Sequence, residues 1–323
     1  MALPASSKLA LKRGALITAA NWHVVVVQFV ADTVFTALLA VPVVGGAALV
    51  VLTSGLDPQT LFAQGVRRAV PAVAAALLAH PLALAAFLVA VVVVLLGGSL
   101  FMAFVKGASI AVLAAAERES GPLEHPPLHL TAVRAASRFS LERAMTGAQG
   151  LFGRFIRLGC GLFVAYAGVL ALAGLAFTSG GSGAAWDAAR VAGITAGVVT
   201  AVTLVNLLYL LTQIVIAVDD CDVWAGLARV SAFLFRQPRE IGIVFAVAST
   251  LVALGTAASL LATAALGLIA FVPFVGLAAL PLQVGAWLVR GFLFQFLGLT
   301  ALVAYLRLYR LSEGGVAGGG TDA

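Results

Sequence analysis

The sequence predicts an all-α fold, a polytopic membrane helix bundle with six transmembrane helices plus amphipathic interfacial helices. Three observations carry this. Of 323 residues, 62% are hydrophobic. Only 10% are charged, against roughly 25% in a soluble domain, and mean hydropathy is +1.11. Apolar runs of about 20 residues, the length that crosses a bilayer core, recur along the chain. This composition excludes a water-soluble globular enzyme, a disordered chain and a coiled coil. Two cysteines, Cys160 and Cys221, exclude a disulfide scaffold and a thiolate zinc site.

Residues 7–20 read as a short helix on the inner surface, with Ser7 as N-cap and Gly14 weakening it. The first span is residues 22–44. It is too long for the apolar core of a cleavable leader and holds Asp32, so no cleavable signal peptide is expected. Pro42 and Gly45-Gly46 then predict a turn, and Asp57-Pro58 starts an amphipathic helix to about Leu78 at the outer interface. The second span is residues 81–105. A large inner loop follows from Lys106 to Arg157, broken by Gly121-Pro122 and Pro126-Pro127. It carries an amphipathic helix over 131–149, in which Arg138 and Glu142 pair at four-residue spacing.

Spans three and four are residues 158–177 and 191–218. The second inner loop, Asp219 to Glu240, opens on Asp219, Asp220 and Asp222. A helix with Trp224, Leu227, Val230 and Phe233 follows, so the order span, surface helix, span occurs twice. The fifth span is residues 241–270 and the last is 287–306. Between them, Pro273, Gly276 and Pro281 suggest a re-entrant or outer-interface element. Residues 1–310 form one integral membrane domain, and the Gly-rich tail, 311–323, is expected to be disordered.

Charge placement sets the orientation. With the N-terminus inside, fifteen Lys and Arg fall on inner segments and four (Arg67, Arg68, Arg190 and Arg290) on or near the outer side. That bias fits an even number of spans with both termini cytoplasmic in a bacterial inner membrane. Trp22, Tyr305 and Tyr309 fall where an inner aromatic belt would lie. The net charge of +6 is explained by topology and anionic headgroups, so membrane lipids are the expected partners and nucleic acid is not.

Two segments carry a resemblance. Ile216-Ala217-Val218-Asp219-Asp220 is followed by Ala225-Gly226-Leu227-Ala228-Arg229-Val230-Ser231, and the chain's last apolar run ends Ala304-Tyr305-Leu306-Arg307-Leu308. In these the chain resembles bacterial six-span membrane proteins of poorly defined activity, similar to the membrane domain of glycerophosphoryl diester phosphodiesterase. The resemblance covers most of the chain and implies a fold, with no catalytic residues. No charged stretch here is long enough to hold the soluble phosphodiesterase domain.

Asp32 is the foremost candidate residue. A charge near mid-bilayer costs about 2.5 kcal/mol or more, so such acids face a partner or a cavity. Arg290 lies about 9 Å further out, at 1.5 Å rise per residue. Asp32 is then either a proton or substrate site, or a structural ion pair or hydrogen-bonded acid. Asn206 and Gln213, with Gln28 and Gln295, offer interhelical hydrogen bonds worth about 0.6 kcal/mol each. Arg134, Arg138, Arg143, Arg229, Arg236 and Arg239 are the candidate lipid or partner contacts. Gly193 and Gly197 in the fourth span, and Gly255, Ser259, Thr263 and Gly267 in the fifth, form small-residue ladders for helix packing.

Other motifs have plain explanations. Asp219, Asp220 and Asp222 lack the Gly and terminal Glu of a calcium loop and read as helix-capping acids. His125 and His129, near Glu117, Glu119 and Glu124, are separated by Pro126-Pro127 and cannot share a helical metal-binding face. No metal, cofactor or catalytic set is expected. The functional expectation is a non-enzymatic membrane component that organises lipid or scaffolds a protein partner or a second copy. The alternatives are a small-molecule or lipid transporter using Asp32, and an intramembrane enzyme.

Overall fold

A computed structural model describes residues 5–54, 75, 78–121, 123, 130–178, 184–270 and 275–317. Among these the chain is helical, with no strand. The helices are α1 (Ala5–Ala20), α2 (Trp22–Ser54), α3 (Pro81–Glu119), α4 (Leu130–Ala135), α5 (Leu141–Thr178), α6 (Ala184–Asp219), α7 (Val223–Arg236), α8 (Pro238–Ala270) and α9 (Val275–Ala317). Six are long and apolar enough to cross a membrane, over Trp22–Gly46, Pro81–Glu119, Leu141–Phe177, Ala188–Asp219, Pro238–Ala265 and Pro281–Glu313. The expected all-α bundle with six spans is therefore present.

Most helices outrun their predicted bounds, because apolar helix formers continue where a breaker was expected to act. α2 runs through Pro42 and Gly45-Gly46, so no turn forms there. α3 continues past residue 105 to Glu119. The predicted surface helix over 131–149 is divided. Its first part is the six-residue α4, and the rest is the start of α5, which runs unbroken into the third span. The break falls at Ser140, whose side-chain oxygen accepts a hydrogen bond from the Arg143 backbone N–H (3.2 Å). That is an N-cap placed where the new helix begins. α9 passes through Pro281 and on to Ala317, so Gly276 and Pro281 belong to a helix, and helix replaces the first part of the expected tail. Pro273, the amphipathic segment from Asp57, and Glu124, His125 and His129 lie outside the described residues.

The chain divides into two compact units, residues 30–103 and residues 1–29 with 104–323. In the first, α2 and α3 run antiparallel, and phenylalanines enter glycine notches. A Cβ on Gly98 would lie 2.0 Å from the Phe35 ring, and one on Gly46 would lie 2.6 Å from Phe87. Only a residue without a side chain fits beneath each ring.

In the second unit α1 packs on α9 rather than lying free on a surface. Ser7 is buried within α1, so it is not its N-cap, and Gly14 is the point of closest approach. A Cβ there would sit 2.5 Å from the Thr300 carbonyl oxygen. α3 and α5 interlock through small residues, Gly107 against Ala148 and Gly147 against Ala111. Phe294 of α9 fills the space beside Gly255 of α8. The largest buried side chains here include Ile17, Ile110, Phe155, Ile214, Tyr305 and Tyr309. Tyr305 and Tyr309 are thus core residues and not part of an aromatic belt. Exposed apolar side chains such as Leu170, Leu172, Val199, Leu260 and Leu261 line the long helices, as a lipid-facing surface requires.

Candidate functional site

The second unit gathers charge at one end, where the last turns of α3 and α9 meet α1. At its centre is Glu117, whose side chain is 1% exposed. Its Oε1 lies 3.5 Å from Arg13 Nε and 3.4 Å from Arg307 Nη1, and its Oε2 accepts from Arg310 Nη1. Removing a carboxylate from water is costly unless cations and donors replace the lost hydration. Three guanidiniums do so here.

Arg13 also closes the end of α3. Its Nη1 donates to the Gly121 carbonyl (2.9 Å), and its Nη2 to the carbonyls of Glu117 (3.1 Å) and Ser120 (2.9 Å). The last carbonyls of a helix have no intrahelical donor and carry the negative end of its dipole, so an arginine fork satisfies both needs. Arg310 Nη2 donates to the Ala114 carbonyl (3.2 Å) in the same way. Arg13, Glu117, Arg118, Ser120, Val218, Arg307 and Arg310 line an open recess of about 440 Å³. Four guanidiniums thus face one carboxylate. Arg118 is exposed and has no hydrogen-bond or ion-pair partner among the described residues.

A second hub forms at the acidic turn after α6. Asp219 Oδ2 accepts from Arg229 Nη1 of α7 (2.5 Å) and from the Tyr309 hydroxyl of α9 (2.5 Å). Asp220 pairs with Arg154 and Asp222 with Arg157 (2.9 Å), both on α5. Asp222 stands at the N-cap of α7, but its side chain makes no capping bond. The three acids therefore join helices, and capping does not account for them. Asp220 has φ 49°, a left-handed conformation that Asp tolerates better than most residues. Burial pushes the Cys221 thiol above its ordinary value, with Arg229 opposing the shift. The hydrogen bond to Asp219 holds the Arg229 guanidinium charged.

α7 lies over this turn with two different faces. Gly226, Val230 and Phe233 are buried, and the Phe233 ring meets Tyr309 edge-on at 5.3 Å. The opposite face carries Trp224, 78% exposed, Leu227 and Phe235, 87% exposed. A third junction sits at the α1–α2 elbow. Asn21 Nδ2 donates to the carbonyls of Ile17 (2.9 Å) and Ala136 (3.1 Å), and its Oδ1 accepts from the Arg138 backbone N–H (2.8 Å).

The sequence candidates fare unevenly. Arg138 and Arg143 both pair with Glu119, at 2.9 and 3.6 Å, which replaces the expected Arg138–Glu142 pair. Glu119 lies about four helical turns (about 3.6 residues each) beyond the predicted end of the second span, and the longer α3 brings it within reach. Arg134, Arg236 and Arg239 are exposed. Asn206 does make an interhelical bond, accepting from the Tyr166 hydroxyl (2.5 Å). The Gln213 amide nitrogen is buried with no hydrogen-bond partner among the described residues. Arg290 lies over the Phe294 ring at 5.3 Å, one turn along its own helix. Asp32 lies on α2 in the other unit and makes no hydrogen bond or ion pair there among the described residues.

Of the four ladder glycines, Gly255 makes a close approach. Beside Gly193, Gly197 and Gly267 a Cβ would meet nothing within 4 Å, and the Thr263 hydroxyl turns back to the Ser259 carbonyl (2.8 Å). The real small-residue contacts were legible in Gly107 and Ala111 against Gly147 and Ala148, had the second span been read as longer. Glu117 was noticed only as a doubtful metal ligand, and Arg13, Arg307 and Arg310 only as topology charges. Comparisons with protein-family models, with curated proteins and with solved structures return no match.

Proposed function

We propose that the chain is a non-enzymatic integral component of a bacterial cytoplasmic membrane that organises anionic lipid, or holds a protein partner or second copy, at its charged end. The outer face of α7 carries the reading. A helix that already buries Gly226, Val230 and Phe233 gains nothing from exposing Trp224, Leu227 and Phe235 to water. Aromatic rings beside Arg236 and Arg239 suit the headgroup layer, where the rings lie among acyl carbons and the cations meet phosphates. The surplus of Lys and Arg on the inner segments supports a cytoplasmic position for this side and for both termini. The short likenesses at Ile216–Asp220, Ala225–Ser231 and Ala304–Leu308 support a kinship with the six-span membrane proteins named above.

Native mass spectrometry of gently extracted protein tests this. The wild type should retain anionic phospholipid or a partner at fixed stoichiometry. The Arg134→Glu, Arg236→Glu, Arg239→Glu variant should lose it, and unchanged retention would remove the basis of the proposal. Asp32 favours a second reading, a transporter, because an acid within a span needs a partner. It expects a small molecule that the wild type retains and Asp32→Asn does not.

A further inference from the structure

The recess around Glu117 is built from residues other than those of the outer face of α7. We propose that this recess, lined by Arg13, Glu117, Arg118, Ser120, Arg307 and Arg310, binds one phosphate-class anion, either a lipid headgroup phosphate or a free phosphate or phosphoester.

The charge count is the first argument. Among the described residues, four guanidiniums and one carboxylate line the recess. Glu117 already serves Arg13, Arg307 and Arg310. Guanidiniums gathered this closely repel one another, and a bound anion lowers that repulsion. Access is the second argument. The Arg307 and Arg310 side chains are 32% and 21% exposed, so a ligand reaches them from outside.

Arg118 is the third. It lines the recess yet makes no hydrogen bond or ion pair among the described residues, so its whole fork is open to a ligand. Planar guanidinium forks match phosphate oxygens in pairs, which favours phosphate over chloride. The volume of about 440 Å³ falls within the usual range for small-ligand sites. Arg118 and Arg310 stand near the ends of two candidate spans.

The fixed parts prepare the site. Arg13 is tied to three carbonyls at the end of α3, so its charge is held in place before a ligand arrives. The site does not depend on α7 touching lipid, and it stands or falls separately from the surface reading.

The test uses the full chain in a neutral detergent at constant ionic strength. Inorganic phosphate and a short-chain phosphatidylglycerol are titrated separately, with sodium chloride as control, and the thermal midpoint is followed. The wild type should show saturable stabilisation by one probe beyond that of chloride. Stabilisation by inorganic phosphate assigns a free anion, and stabilisation by the lipid alone assigns a headgroup.

Arg118→Ala should keep the unliganded midpoint and weaken binding by about tenfold, as for the loss of one charge-assisted contact. Arg118→Lys should recover only part of it, because a point charge replaces the fork. Trp224→Ser with Phe235→Ser should leave this binding unchanged even where it abolishes retention of surface lipid. No saturable response to either probe, or binding that Arg118→Ala does not alter, would overturn the proposal.

Discussion

Glu117 shows how burial changes the value of an ion pair. Its carboxylate is nearly inaccessible and serves three arginines. Glu117→Gln should therefore cost about 3 kcal/mol in unfolding experiments in detergent, as for removal of one partner from a buried pair, and at the low end because two arginines keep some water. Glu119 also pairs with two arginines, but it is 40% exposed. Glu119→Gln should change stability by less than about 1 kcal/mol. Equal losses in the two variants would contradict the difference in burial. Cys221 offers a test of sign. Burial favours the neutral thiol, so less thiolate exists at a given pH than for a free cysteine. In a Cys160→Ala background, maleimide labelling at pH 7 to 8 should be slower than for a free thiol and should rise with pH. Arg229→Ala removes an opposing cation and should slow it further.

At the scale of elements, glycine has two opposite meanings. Inside a helix Gly→Ala normally gains about 0.5–1 kcal/mol. Gly150 of α5 has nothing within 4 Å of a built Cβ, so Gly150→Ala should show that gain. Gly14 of α1 meets the Thr300 carbonyl oxygen, a backbone atom that moves only if α9 moves. Gly14→Ala should instead lose about 1–2 kcal/mol through overpacking. Thermal midpoints of the two variants should therefore shift in opposite directions. A stabilised Gly14→Ala would mean that α1 is not docked on α9 as described. The same logic applies to Gly193 and Gly197, where a built Cβ meets nothing within 4 Å in the chain itself. Small residues permit a close approach, but they do not supply the neighbour that makes it.

Across the whole molecule, crossing by all six candidate spans predicts both ends of the chain on one side of a membrane. Reporter domains fused separately to the N- and C-termini should report the same compartment. The excess of Lys and Arg predicts the cytoplasm. Opposite compartments would require an odd number of crossings. Ionic contacts are concentrated at the charged end, where Asp219, Asp220 and Asp222 join α6 to α5, α7 and α9. Further along the spans, contacts include rings set against glycine, as at Gly98 and Gly255. Few charges lie within those stretches, because lipid cannot solvate them.

Fold class and the number of spans were legible in composition and run length alone, because a bilayer imposes its thickness on every crossing segment. Element ends were not. Pro42, Pro281 and the glycines read as breakers, yet a helix with apolar neighbours tolerates one missing hydrogen bond. The arginines were visible as topology charges, and their partners were not. Arg13 lies 104 residues from Glu117, and Arg310 lies 193 residues from it. Periodicity sees only neighbours a few residues apart, so no local pattern joins them. Tertiary structure alone decided which acid those arginines share, because the contact depends on the middle of α1 meeting the later turns of α3 and α9.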